Sequence, residues 1–123
     1  MRVGTDELNP SIDTEGLKVS SAVFGEMVVA YLQRNAAIEM PHLAKGLPDD
    51  VCPCPHWGYV VAGSIIISYK DRTEERVRAG DVFYCPPGHY YRYDEDAKAI
   101  EFSPLAQMAS VAQVINRNLA EAP

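Results

Sequence analysis

The chain has 123 residues, a length that suits one domain with a single core. Hydrophobic residues make up 47% of it, which sets it apart from disordered chains, and no apolar run is long enough to span a bilayer. The net charge is −6 and the eleven Lys and Arg are scattered, with Arg72, Arg76 and Arg78 offset by Asp71, Glu74 and Glu75, so neither a nucleic acid nor a membrane is an expected partner.

Residues 1–16 are polar, carry Asn9-Pro10-Ser11 and lack the apolar region of a secretory signal, so the expectation is a cytoplasmic protein. They read as an arm with little structure of its own, able to pair with another subunit. Residues 17–33 follow as strand, rich in β-branched and aromatic side chains, either one long strand or a bent pair with Gly25 at a bulge. Residues 34–40 lean to strand. Residues 41–50, with two prolines, Gly46 and an acidic pair, read as a loop.

Residues 59–69 give the strongest strand signal, with Gly63 as the bend. Residues 70–73 turn this strand into residues 74–78 as a hairpin. Val82-Phe83-Tyr84-Cys85 is a short apolar strand stopped by Pro86-Pro87-Gly88, and His89-Tyr90-Tyr91-Arg92-Tyr93 alternates after it. Residues 98–103 form a last strand. The period then changes: Leu105, Met108, Ala112, Ile115 and Leu119 recur on one helical stripe, with Ser103 placed to N-cap and Pro104 at the first position. Many short strands with Gly and Pro turns and one helix predict an all-β sandwich or barrel.

The stretch with most chemistry is Cys52-Pro53-Cys54-Pro55-His56-Trp57-Gly58-Tyr59. Two thiols and an imidazole stand at every second position, and an extended backbone, which Pro53 and Pro55 favour, would put all three on one face. Sulfur and imidazole nitrogen so close together suit a transition metal. Three cysteines are an odd number, and Cys52 and Cys54 are too close for an easy bridge, so reduced thiols are expected. The plainer reading is core filler, because free Cys is among the most buried residue types. On the same reading Cys85 is a buried spectator and His42 a loop residue.

At Tyr59-Val60-Val61-Ala62-Gly63 and at Gly80-Asp81-Val82-Phe83-Tyr84-Cys85-Pro86-Pro87-Gly88 the sequence resembles the cupin superfamily, and more narrowly a group of small single-domain bacterial cupins of unassigned function. The second cupin motif, G-x5-P-x-G-x2-H, is matched by Gly80, Pro86 and Gly88, while its His position holds Tyr91. The first motif ends in E-x6-G after H-x-H. Counting back from Gly63 puts His56 at the Glu position and Asp50 and Cys52 at the two His positions.

The resemblance implies an all-β double-stranded β-helix, or jelly-roll, barrel over residues 17–103, with the arm at 1–16 and a C-terminal helix at 104–119. It also implies a metal held between the first motif and the strand after the Pro-Gly turn. The expected ligands are Cys52, His56 and His89 with Cys54 as the fourth and Asp50 in reserve; Phe83, Tyr91 and Tyr93 line the pocket with Asp50. His89 could instead serve only as a turn residue. Two thiolates and two imidazoles favour zinc; a single thiolate leaves an open position and admits iron, nickel or copper. Three functions follow: a metal-dependent enzyme on a small organic molecule, a ligand- or metal-sensing module with a closed site, or a cupin that has lost its metal. A homodimer is expected, since both faces of residues 59–69 are apolar and need covering.

Overall fold

A computed structural model describes residues 1–121. Eight strands precede one helix: β1 (Asn9–Asp13), β2 (Leu17–Phe24), β3 (Met27–Arg34), β4 (His56–Tyr69), β5 (Glu74–Arg78), β6 (Val82–Cys85), β7 (His89–Arg92), β8 (Ala97–Pro104) and α1 (Leu105–Glu121). The pairing order is β1-β2-β3-β8-β4-β5, with β6 and β7 also on β4, and every named pair is antiparallel. The chain thus forms the all-β jelly roll with a C-terminal helix. No described helix is long and apolar enough to cross a membrane.

β4 is the spine. Its first half, His56–Tyr59, lies between β6 and β8, and its second half, Ser64–Tyr69, between β5 and β7. The change of partners happens at Gly63, whose φ of +69° suits glycine and whose Cβ, were there one, would overlap the carbonyl oxygen of Asp96. A register shift between Val60 and Ala62 adds a bulge beside it. The predicted hairpin after β4 is present, its turn closed by the Tyr69 N–H donating to the Thr73 carbonyl at 3.0 Å.

Several local expectations are corrected. Gly25 is not a bulge inside a strand: with Glu26 it makes the two-residue turn of a β2–β3 hairpin, in register from Phe24↔Met27 to Leu17↔Arg34. The strand read over residues 34–40 stops at Arg34, because Asn35 turns the chain, its side chain accepting from the Ala37 N–H and its carbonyl from the Ile38 N–H. The span read as an arm holds β1, which pairs with β2 of its own chain and packs Ile12 on the core. Pro10 is tolerated there because β1 is an edge strand.

The barrel core consists of Leu17, Leu32, Val60, Ile65, Ile67, Val77, Phe83, Cys85, Ala97 and Ala99. A second cluster, Ala44, Leu47, Cys52, Cys54 and Val111, joins the loop before β4 to α1. The helix buries Val111 with Met108, Val114 and Ile115 beside it, so Met108 and Ile115 of the predicted stripe pack inward while Leu105 is exposed. Asn118 fastens it by donating to the carbonyls of Leu43 and Lys45 at 2.7 and 2.9 Å. Helix α1 therefore lids the loop that carries Cys52 and Cys54.

Candidate metal centre

Pro53 and Pro55 have no N–H for a sheet ladder, so β4 begins at His56 and the segment before it is not a regular strand. Cys52 is held there by its backbone: its N–H donates to the His89 carbonyl at 2.6 Å, and its own carbonyl accepts from the Gly88 N–H at 2.8 Å. This bridge ties the loop to the start of β7 immediately after the Pro86-Pro87-Gly88 turn. His56 opens β4 opposite Cys85 of β6.

Three predicted ligands meet. A donor atom each from Cys52, His56 and His89 lies within 4.8 Å of the other two, and all three residues are buried. The Cys52 Sγ to His56 Nε2 distance is 3.6 Å. A tetrahedral zinc with Zn–S of about 2.3 Å and Zn–N of about 2.05 Å places sulfur and nitrogen about 3.6 Å apart. The imidazole rings of His56 and His89 have centroids 4.9 Å apart at 68°.

Both rings are oriented from behind. His56 Nδ1 is 2.6 Å from Ser103 Oγ, and His89 Nδ1 is 2.7 Å from the Pro86 carbonyl oxygen, to which it donates. A donating Nδ1–H leaves the His89 Nε2 lone pair free, the arrangement that metal-bound histidines show. Burial holds His89 down to about 4, with the neighbouring His56 pushing the same way and the Pro86 contact opposing, so its ring is neutral near pH 7. Burial pushes the Cys52 thiol up to about 11, with Glu101 adding to the rise and the Cys54 carbonyl opposing it. A metal would have to displace that proton.

Cys54 is not brought into this cluster. The bend between the two prolines breaks the alternation that would have placed it beside Cys52; its Sγ instead faces the Pro55 carbonyl at 3.5 Å, within the apolar cluster under α1. Burial raises this thiol to about 12. Asp50 also lies elsewhere, at φ +54° on an exposed turn, with its carboxylate accepting from the Gly46 N–H at 2.9 Å and its carbonyl facing His42 Nε2 at 2.7 Å. It lines an open surface groove of about 840 Å³ with His42, Val51 and Tyr90. A second groove, of about 310 Å³, lies around Gly16, Arg34 and Asp96. Neither reaches the cluster.

The aromatic candidates divide. Phe83 is core, its ring filling the place where Gly58 has no side chain. The Tyr91 ring stacks on His89 at 5.6 Å, and its hydroxyl donates to the Glu101 carboxylate and lies 3.4 Å from Cys85 Sγ. Burial raises Tyr91 well above the usual tyrosine range, reinforced by Glu101. Tyr93 packs edge-on against Tyr91 at 6.4 Å, with the Arg34 guanidinium 5.4 Å from its ring centre.

Glu101 and Ser103 were not among the predicted site residues, and Ser103 was read only as a helix cap. Both point into the barrel from β8, in step with buried Ala97 and Ala99. That alternation, with an acidic residue on the apolar face, was the available signal.

No protein-family model matches the sequence, and no curated protein matches it. Solved structures do resemble the fold. An RmlC-like cupin from Shewanella frigidimarina aligns at TM-score 0.60 and 18% identity over 85% of this chain and 90% of its own. The ectoine synthase of P. lautus aligns at 0.61 and 11% identity, covering 89% and 84%. The polyketide cyclase RemF from Streptomyces resistomycificus aligns at 0.59 and 15% identity, covering 85% and 79%. At these identities the likeness is one of fold, and the fold is that of the cupins.

Proposed function

With the cupin fold as premise, we propose that this chain binds one divalent transition metal inside its barrel through Cys52, His56 and His89, and that the bound metal receives a small organic molecule. The observation that carries this reading is the pair of imidazoles, each engaged at Nδ1 from behind and each near the same thiol. One thiolate and two imidazoles match zinc best, with iron, nickel and copper next. Three protein ligands leave an open position, as catalytic rather than structural zinc sites do. A metal there supplies Lewis acidity toward an oxygen or nitrogen of the bound molecule. The chain's own contribution is to orient the ligands through Ser103 and Pro86, to exclude water, and to present the Tyr91–Glu101 pair as a hydrogen-bonding partner beside the centre.

A second reading, a non-catalytic metal- or ligand-sensing cupin, is favoured by the close packing of Tyr91 on His89 and by both grooves lying away from the cluster. Elemental analysis of untagged protein tests the first step: wild type should hold one equivalent of metal, and Cys52→Ala and His56→Ala should lose it. Equal, substoichiometric metal in all three would refute the site. The absorption spectrum of the cobalt-substituted protein then separates the two readings. A spectrum that responds to small anions indicates an open position; an unresponsive tetrahedral spectrum indicates a closed one.

A further inference from the structure

Glu101 is the acid on the inward face of β8. Its cross-strand neighbours are Gly58 on β4 and Ala30 on β3, which have almost no side chain to lay over it. The residue is half-buried, where Ala97, Ala99 and Ser103 of the same face are buried. The Tyr91 hydroxyl donates to its Oε1. No other donor among the described residues meets the carboxylate, and no buried side-chain oxygen among them lacks a partner, so Oε2 is open to solvent. No ion pair among the described residues includes Glu101. Arg34, whose guanidinium lies over the Tyr93 ring, is engaged by the carbonyls of Gly16 and Asn35. Burial raises Cys52, Tyr91 and Tyr93, and the Glu101 charge adds to the rise at each of them. A carboxylate drawn into a barrel is costly unless a cation or several donors meet it, and here one oxygen is left without either.

We propose that Glu101 recognises a protonated amine, so that the molecule received at the metal is a small amine-bearing compound, an amino alcohol or its like, with an oxygen for the open metal position. The proposal rests on the metal reading and deepens it. Position supports it. Ser103, which holds His56, lies two residues along the same face of β8, about 7 Å from Glu101. Tyr91 links Glu101 to His89, donating to the one and stacking on the other. A short aliphatic molecule spans that separation. Tyr91 also fixes the carboxylate by one oxygen and leaves the other presented. An ammonium brings three N–H donors and a positive charge, which is what Oε2 lacks; a hydroxyl brings one donor and no charge. A hydrogen bond to a charged group is worth about 10–100-fold in affinity.

The absorption bands of the cobalt-substituted protein supply the readout. Isopropanolamine and propylene glycol differ only in an ammonium against a hydroxyl, and each is titrated near neutral pH. The wild type should respond to the amine at about 10–100-fold lower concentration than to the diol. Glu101→Gln keeps the size and removes the negative charge. It should still hold cobalt, respond to the diol as the wild type does, and lose the preference for the amine. Chelation of cobalt by the amine alone would survive that substitution. Equal responses of the wild type to the two probes, or a preference that persists in Glu101→Gln, overturn the proposal and leave the metal site standing. Wild-type protein that takes up no cobalt overturns the metal reading and this proposal with it. If Glu101→Gln does not fold, Glu101→Ala takes its place. Loss of cobalt from a folded Glu101 variant also overturns the proposal, by assigning the carboxylate to the metal instead of the amine.

Discussion

Ser103 allows the metal centre to be tested without touching a ligand. Its hydroxyl is 2.6 Å from His56 Nδ1 and the residue is only 4% exposed, so solvent does not stand in for it once removed. Ser103→Ala leaves one imidazole nitrogen unpaired in the interior, at a cost of about 1–3 kcal/mol. Loss of the partner behind a metal-bound histidine typically lowers metal affinity about 10–100-fold. At about 1.4 kcal/mol per tenfold, that is about 1.4–2.8 kcal/mol, the same range reached from the hydrogen bond alone. The expected outcome is zinc binding weakened by about 10–100-fold in competition with a chromophoric chelator, with the far-UV spectrum unchanged. Ser103→Thr keeps a hydroxyl and should recover most of the affinity. Wild-type zinc affinity in a folded Ser103→Ala protein would refute the reasoning. If its metal-free form is also less stable, His56 is a core imidazole satisfied by Ser103.

Cys54→Ala should leave metal content unchanged while costing about 1–2 kcal/mol in urea denaturation, because the thiol fills space under α1 and stands outside the cluster; loss of metal would reinstate Cys54 as a ligand. The metal-free protein should lose stability as pH falls from about 6.5 to about 4. His89 is held down to about 4 when folded, so over that window the unfolded chain binds the extra proton and unfolding is favoured, by up to about 3 kcal/mol. His89→Asn should flatten that limb, and an identical pH profile for variant and wild type would contradict the assignment. Gly63→Ala should cost about 3 kcal/mol or more, since it combines a left-handed φ with an overlap on the Asp96 carbonyl. Gly25→Ala, at φ +60° with open space around it, should cost about 1–2 kcal/mol, and equal costs for the two would show that the overlap is relieved.

The scaffold was legible because its punctuation is local. Gly63, Pro86 and Gly88 act through their own backbone preferences, so their spacing already located the β4 bend and the turn before β7. The meeting of Cys52, His56 and His89 followed from that spacing. Alternation would place Cys54 beside Cys52 only if residues 52–59 were one continuous strand, whereas two prolines interrupt the ladder and β4 starts at His56. The alternation along β8 marks Glu101 and Ser103 as inward-facing, but the side chains they meet depend on the pairing of β8 with β4, a contact between segments some 40 residues apart. Asp50 was assigned through motif spacing, but the left-handed turn at Asp49 and Asp50 carries it to the surface.

The anchoring of Cys52 outside the strands has a kinetic consequence. β4 pairs with four other strands, so His56 sits on the element that opens last, at a free energy close to that of global unfolding. Cys52 is retained by the short bridge to Gly88 and His89 and by the packing of the loop under α1. A metal held by both would therefore enter and leave through a swing of the Cys52 segment, with the barrel intact. Residence time on the protein becomes a property of that loop and of the helix lying over it, and can change without any change in the stability of the fold.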